Sequence, residues 1–212
     1  MKYKLSLKAK SSTIKSIFLL LAIFSITKGF SQSTSLGIRA GVNMSNWNLS
    51  GVTGVDARST YGPNAGVFAT FNLSKSFSLE PGVMYAVLGS ELKYSEVEKV
   101  EYKTSYLHVP FVARYVFANG FGFFSGPQIA FLLNAKASEN NGPKQNAKGV
   151  FNKTDFAIVG GMEYNFPVGI NVRVKYSQGI TDIYTHESQK VKNYSLNLSL
   201  AYKFHHAERR KK

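Results

Sequence analysis

The feature that most constrains this chain is a regular alternation of apolar and polar residues. In Tyr194–Phe204 (YSLNLSLAYKF) every even-numbered residue is aromatic or Leu, and every odd-numbered residue is small or polar. Val168–Tyr176 (VGINVRVKY) shows the same separation. Because successive side chains of a β-strand point to opposite faces, each segment predicts a strand with one apolar face and one polar face.

The alternation recurs in eight segments, near residues 35–46, 62–72, 77–89, 104–117, 121–134, 153–165, 168–180 and 193–204. Each segment is long enough to cross a bilayer as a tilted strand, which takes about 9–11 residues. Short connections lie at Leu73–Ser76, Ala118–Gly120 and Phe166–Pro167, and longer ones lie at 47–61, 90–103, 135–152 and 181–192.

These short and long connections alternate along the chain. Outer-membrane barrels have short periplasmic turns and longer external loops. We therefore predict an all-β fold: an eight-stranded antiparallel up-and-down transmembrane β-barrel with three short periplasmic turns and four longer external loops.

The N-terminus has the pattern of an export signal. Six lysines and no acidic residue occur in the first 31 residues, and Ser16–Ile26 (SIFLLLAIFSI) is apolar. That run is shorter than the roughly 20 residues of a spanning helix, and Gly29 and Ser31 are small residues at a plausible cleavage site. We predict a signal peptide over 1–31, a barrel domain over 32–204, a basic tail over 205–212 and location in the bacterial outer membrane.

The net charge of +14 is a poor guide to partners. The predicted signal peptide holds six of these charges and the tail a net three, which leaves +5 dispersed over the barrel domain. Nucleic acid is therefore not expected as a partner. The chain has no Cys, which excludes disulfides and thiolate zinc sites, and no nucleotide or metalloprotease motif, so no cofactor is expected.

Charges of both signs lie on the polar faces of the predicted strands. They are Arg39, Glu80, Arg114, Glu163, Arg173, Lys175 and Lys203. Side chains fill the interior of an eight-stranded barrel, and an unpaired charge there would cost several kcal/mol. We therefore expect these residues to pair inside a plugged lumen and not to line a wide pore.

Alternation alone does not decide which face is inside. A soluble barrel of lipocalin type would turn its apolar face inward. Two features favour a membrane barrel: the polar face mixes charges with small residues, and aromatic residues such as Tyr85, Tyr115 and Tyr164 lie towards strand ends, as an interfacial girdle requires. Trp47, in the first predicted loop, is either a membrane-interface anchor or a contact for a partner, and we favour the anchor.

Five segments of the predicted strands carry distinctive motifs: Leu36–Asn43 (LGIRAGVN), Phe77–Tyr85 (FSLEPGVMY), Tyr106–Tyr115 (YLHVPFVARY), Gly160–Tyr164 (GGMEY) and Leu198–Phe204. Together they resemble segments of the PorT-like outer-membrane β-barrel proteins of Bacteroidota. The chain departs from that family at His108, where Glu is usual, and in the tail after Phe204. The resemblance implies the barrel fold and the outer membrane. One member of that family is implicated in type IX secretion and gliding, so the resemblance also implies a secretion component as an alternative.

The function that we expect is non-enzymatic: a structural or binding barrel, monomeric, in contact with outer-membrane lipid and with envelope or secretion-complex proteins. One alternative is an enzyme acting on outer-leaflet lipids. Its candidate residues are His186 with Asp182, Glu187 and Ser188, or His108 near Arg114, because such chemistry needs a base within reach of a nucleophile. The other alternative is a small-solute pore.

Overall fold

The computed structural model describes residues 34–50, 54–94, 98–140, 142–185 and 190–204. The predicted signal peptide, the basic tail and the candidates His186, Glu187 and Ser188 lie outside these ranges. Within them, no helix is both long enough and apolar enough to span a membrane. The helical structure described is a single 3₁₀ turn, Lys148–Val150.

Eight long strands and one two-residue strand make a single sheet. They are β1 (Thr34–Ser50), β2 (Asp56–Asn72), β3 (Phe77–Lys93), β4 (Lys99–Val116), β5 (Phe121–Glu139), β6 (Gln145–Asn146), β7 (Thr154–Asn165), β8 (Ile170–Gly179) and β9 (Lys190–Phe204). The long strands pair antiparallel with their chain neighbours, and β1 pairs with β9 to close a ring. Closure leaves no long strand with an unpaired edge, as a membrane barrel requires. The predicted up-and-down β-barrel is confirmed.

The apolar faces of the strands lie outside the ring. On β9, Leu198 and Leu200 are both 60% exposed, whereas the intervening Ser199 is 2% exposed. Leu36 and Val42 of β1 and Val67 of β2 are likewise exposed. The lipocalin-type alternative is therefore wrong, because that fold would bury these side chains. An outer surface of this kind suits lipid and not water.

The short turns lie at one end of the ring, at residues 73–76, 117–120 and 166–169. Gly120 has φ +88°, and a Cβ on it would lie 2.5 Å from the Asn165 carbonyl oxygen. The Asn165 backbone N–H donates to the Gly120 carbonyl oxygen at 2.8 Å. This turn therefore requires glycine, both for its left-handed backbone and for the close approach of the next turn.

The opposite end of the ring is more regular than predicted. Most of the predicted loops 47–61 and 90–103 is strand, and the connections that remain there are 51–55 and 94–98. The segments 140–153 and 180–189 are the longer connections. On β3 the inward residues change from Glu80 to Leu88 and Leu92, while the outward residues change from Tyr85 to Glu91. Where the strands extend beyond the lipid, their outer face meets water and their inner face can be apolar. The polarity pattern therefore placed the first residues of these loops before the true ends of the strands.

Candidate functional site

The structure places all seven predicted lumen charges inside the ring. Five of them are buried and form one ion-pair network: Arg39, Glu80, Arg114, Glu163 and Arg173. They come from β1, β3, β4, β7 and β8, because the inward position of each strand at this level carries a long charged side chain. The other two, Lys175 and Lys203, are half-buried and contact neutral groups.

Glu80 is the point where three guanidinium groups meet. Its Oε1 accepts hydrogen bonds from Arg39 Nη1 at 3.0 Å and from Arg173 Nη1 at 2.8 Å. Its Oε2 lies 3.2 Å from Arg114 Nη1. A carboxylate that is 2% exposed has lost its hydration, and these three charged partners replace it.

Glu163 joins two of the same arginines from the other side. Its Oε1 accepts from Arg114 Nε at 3.0 Å and its Oε2 from Arg173 Nε at 2.9 Å, and the Nη2 group of each arginine makes a second contact to the same oxygen. The Asn165 side chain donates to Glu163 Oε1 at 3.2 Å. Both carboxylate oxygens are thus satisfied by fixed donors.

Two aromatic rings cover the faces of the arginines. The Arg39 guanidinium carbon lies 4.3 Å from the centroid of Phe68, and that of Arg173 lies 4.1 Å from the centroid of Phe124. Rings at this distance stabilise a cation and exclude water from it. Together with the ion pairs, they fill the centre of the lumen.

The two lysines extend this polar interior. Lys175 Nζ donates to Gln128 Oε1 at 3.2 Å, and Lys203 Nζ donates to Asn165 Oδ1 at 3.3 Å. Beside the network lies a cavity of about 30 Å³ lined by Arg39, His108 and Lys175 among others. This cavity holds a few atoms at most.

An apolar cluster blocks the end of the barrel that carries the longer connections. We call it the cap: Trp47, Leu88, Leu92, Tyr106, Ala130, Leu132, Ala135, Phe151, Ile183 and Val191. Trp47 is 2% exposed, and its ring lies 5.1 Å from Tyr102 and 5.7 Å from Phe151 between centroids. The interpretation of Trp47 as a membrane-interface anchor is therefore wrong, since its side chain points into the barrel end and not towards lipid.

The described parts of the third and fourth long connections, 142–153 and 180–185, contribute to the cap and contact each other there. Asn152 Nδ2 donates to the carbonyl oxygens of Asp182 at 2.8 Å and Tyr184 at 2.9 Å, and Phe151 pairs with Tyr184 through an isolated β-bridge. The Tyr184 ring lies 5.1 Å from that of Phe151. Burial, and after it the neighbouring Tyr102, raises the pKa of Tyr184. The cap thus resembles the core of a water-soluble domain.

The sequence that forms this barrel identifies the protein family to which the chain belongs. A family model described as "Outer membrane protein beta-barrel domain" matches residues 30–185. The chain belongs to this family. It is therefore a bacterial outer-membrane protein, and the exposed apolar band is its lipid-facing surface.

Two solved structures have the same barrel fold as this outer-membrane protein. Neisserial surface protein A (NspA) superposes with a TM-score of 0.55 at 13% identity, covering 82% of this chain and 100% of that one. Ail, the attachment invasion locus protein of Yersinia pestis solved with the heparin analogue sucrose octasulfate, gives a TM-score of 0.51 at 17% identity, with 82% and 100% covered. At these identities the likeness shows the fold alone. No curated protein matches the chain.

The candidate catalytic groups of this outer-membrane barrel are not brought together where the structure describes them. His108 is buried inside the ring, where a lipid of the surrounding membrane cannot reach it. Arg114 lies six residues along the same strand, about 20 Å away, and binds the two glutamates. Among the described residues, no three His, Asp or Glu side chains are placed to hold a metal ion.

Sequence reasoning missed the cap. Its signal was present in the sequence, because Trp47 and Leu49 continue the odd-numbered inward face of β1 after Arg39, Asn43 and Ser45. The alternation keeps its phase there while the inward residues change from polar to apolar. A strand that is recognised only by apolar residues on its outward face is therefore predicted to end at that point.

Proposed function

We propose that this protein is a non-enzymatic, closed outer-membrane barrel with a structural or binding role. The observation that carries the proposal is the double closure of the lumen. The network around Glu80 and Glu163 fills its centre, and the cap around Trp47 fills its external end. A barrel closed at two levels offers a rigid scaffold and no path for solutes, so binding falls to its outer surface and external connections.

Planar-bilayer conductance tests the closed barrel against a small-solute pore. The refolded protein should give no stable conductance steps at any voltage, in membranes where a general porin measured in parallel does. Reproducible steps from protein that is shown to be folded would overturn the proposal in favour of the pore.

Outer-membrane lipid is the partner that the surface supports best. Just above the apolar band, Lys103 of β4 lies directly opposite Lys136 of β5. Both line a groove of about 250 Å³ that also contains Lys144 and Glu101, whose Oε1 lies 3.0 Å from Lys103 Nζ. Three lysines against one carboxylate leave the groove with a net positive charge, which attracts an anionic headgroup. We propose that phosphate groups of outer-leaflet lipids lie here.

The more specific likeness to PorT-like proteins is also a proposal. It is supported by segments that form the ring itself, Tyr106–Tyr115 on β4 and Phe77–Tyr85 on β3, which include Arg114 and Glu80. Cross-linking in native membranes followed by pull-down tests the secretion role. Recovery of secretion-complex proteins would support it, and recovery of lipid-modifying or unrelated envelope proteins alone would contradict it.

The lipid-modifying enzyme has a direct test. Incubating the purified barrel with outer-membrane lipids should give no change in their acyl chains or headgroups by mass spectrometry. A modification that disappears in His186→Ala, or in His108→Ala, would replace the proposed function with the enzyme.

A further inference from the structure

The cavity beside the ion-pair network has the size of a single small ligand. Its volume is about 30 Å³, and its wall includes Arg39, Arg173, Lys175 and His108, with the ring of Phe68 among its apolar members. One water needs roughly 10–15 Å³ of such volume, so the cavity accommodates one monatomic ion or two waters. A polyatomic anion such as gluconate would not fit.

Charge in this part of the lumen is unbalanced. The three guanidinium groups of Arg39, Arg114 and Arg173 outnumber the carboxylates Glu80 and Glu163 by one, and the amine of Lys175 lies on the same cavity wall. Another buried acid in the described ring, Asp155, is not part of the cavity wall, and its oxygens accept from Thr181 and Asn193. Uncompensated charge in a dehydrated interior opposes folding, so a counter-ion is expected.

Donors without acceptors lie on the same wall. Arg39 is 8% exposed, and its Nε and Nη2 groups are buried without a hydrogen-bond partner, whereas its Nη1 binds Glu80. Lys175 has three N–H donors, and Gln128 is the acceptor that it contacts, at 3.2 Å. The wall also carries two buried acceptors without a hydrogen-bond partner, Asn64 Oδ1 and Glu80 Oε2, so the free donors are concentrated on the side of Arg39 and Lys175.

We infer that this cavity is a binding site for one small monovalent inorganic anion of the chloride type, held by Arg39 and Lys175. The anion offsets part of the charge excess and accepts the unused N–H groups. It acts as a structural ion of the lumen, and the site is separate from the surfaces proposed for lipid and protein partners.

Unfolding at constant ionic strength tests this inference. The barrel, refolded in phosphatidylcholine vesicles, is unfolded with urea while chloride is exchanged for gluconate or sulfate. Chloride should raise the urea midpoint, and above the dissociation constant each tenfold rise in chloride should raise the folded-to-unfolded ratio about tenfold. Equal midpoints in chloride and gluconate, or an equal effect of sulfate, would overturn the inference.

Two variants localise the effect. Lys175→Met should lose the chloride dependence and be more stable than the wild type in gluconate, because it removes a half-buried amine whose contact in the described structure is the neutral Gln128. Lys192→Gln removes one charge from the outward face of β9 near its external end and should keep the full dependence. Retention of the chloride dependence in Lys175→Met would contradict the site.

A diffraction measurement covers the case in which Lys175→Met fails to fold. Crystals of the wild-type barrel grown with bromide should show one anomalous peak inside the ring, between Arg39 and Lys175. Density for water alone in the cavity, without an anomalous signal, would overturn the inference.

Discussion

Arg173 of β8 donates a hydrogen bond of 2.8 Å to Glu80 of β3, and these two strands lie directly opposite each other in the ring. Each strand is four places from the other in either direction around the eight long strands. The bond therefore spans the lumen. It links two residues that are 93 positions apart in sequence, so the network in the lumen connects opposite sides of the sheet.

Removing the central carboxylate should destabilise the barrel strongly. Glu80→Gln leaves three buried guanidinium groups with one carboxylate, Glu163, and breaking a buried ion pair of this kind costs about 3–5 kcal/mol. The measurement is urea unfolding in phospholipid vesicles, followed by the gel shift between folded and unfolded barrel.

The matched control is Glu91→Gln. Glu91 lies on the same strand and pairs with Lys99 at 3.7 Å on the exposed surface, so its loss should cost less than about 1 kcal/mol. Equal effects of the two substitutions would show that the lumen network contributes no more than a surface pair.

Trp47 should be shielded from both lipid and water. It is the one tryptophan of the chain, so its emission reports this site alone. Because the ring is buried in the cap, brominated acyl chains and aqueous acrylamide should both leave the emission almost unchanged. Strong quenching by brominated lipid would show that the Trp47 ring lies at the membrane interface.

A positive control for lipid quenching is available on β3. In a Trp47→Phe background, Tyr85→Trp places the indole on the outward face, where Tyr85 is 45% exposed. Brominated lipid should quench this variant strongly, which shows that the lipid label reaches the barrel wall.

The cap should weaken in alkali. Burial raises the pKa of Tyr184 above its ordinary value of about 10, so the folded cap holds the neutral phenol while the unfolded chain ionises first. The contribution is complete below about pH 10 and is lost as the pH rises towards the raised pKa. The free energy of unfolding should therefore fall above about pH 10, and Tyr184→Phe should flatten that fall.

The control for this alkaline effect is Tyr61→Phe, which removes a hydroxyl from a side chain that is 68% exposed on β2. Its stability profile should follow that of the wild type. An identical alkaline fall in Tyr184→Phe would mean that groups outside the cap cause it.

The groove at the rim should select anionic lipid. Lys103→Gln with Lys136→Gln removes the opposed pair, and binding of phosphatidylglycerol by native mass spectrometry should weaken about tenfold relative to phosphatidylcholine. Lys190→Gln with Lys192→Gln removes the same charge from β9 at the same end and should have little effect. Equal losses in both double variants would indicate only a general attraction to net positive charge.

The ring of strands could be predicted from the sequence because lipid requires every strand to have an apolar outward face. Leu198 and Ser199 take opposite faces whatever their partners are, so alternation predicts both the strands and the inward side of Arg173 and Glu163. Partner choice is different, because it depends on the stagger between strands. No spacing in the chain predicts that Arg39 of β1 meets Glu80 while Arg114 and Arg173 are shared with Glu163.

The cap was missed for a related reason. Beyond the membrane, the outside of the barrel is water, so Glu91 and Lys103 face outward while Leu88 and Tyr106 face inward. The period of two persists, but the apolar face changes sides. Strands and loops are therefore hard to separate there from polarity alone, and the structure was needed to show that the strands continue.

Apolar side chains of the barrel face lipid, and polar side chains fill its interior. Since the chain has no Cys, single cysteines at Leu198 and Ser199 can be probed with a nitroxide label in vesicles. The label on Leu198→Cys should relax with dissolved oxygen and not with a water-soluble agent, and Ser199→Cys should resist labelling until the barrel unfolds. A label on Leu198→Cys that responds to the water-soluble agent, with Ser199→Cys reacting freely in the folded state, would contradict this assignment of the two faces.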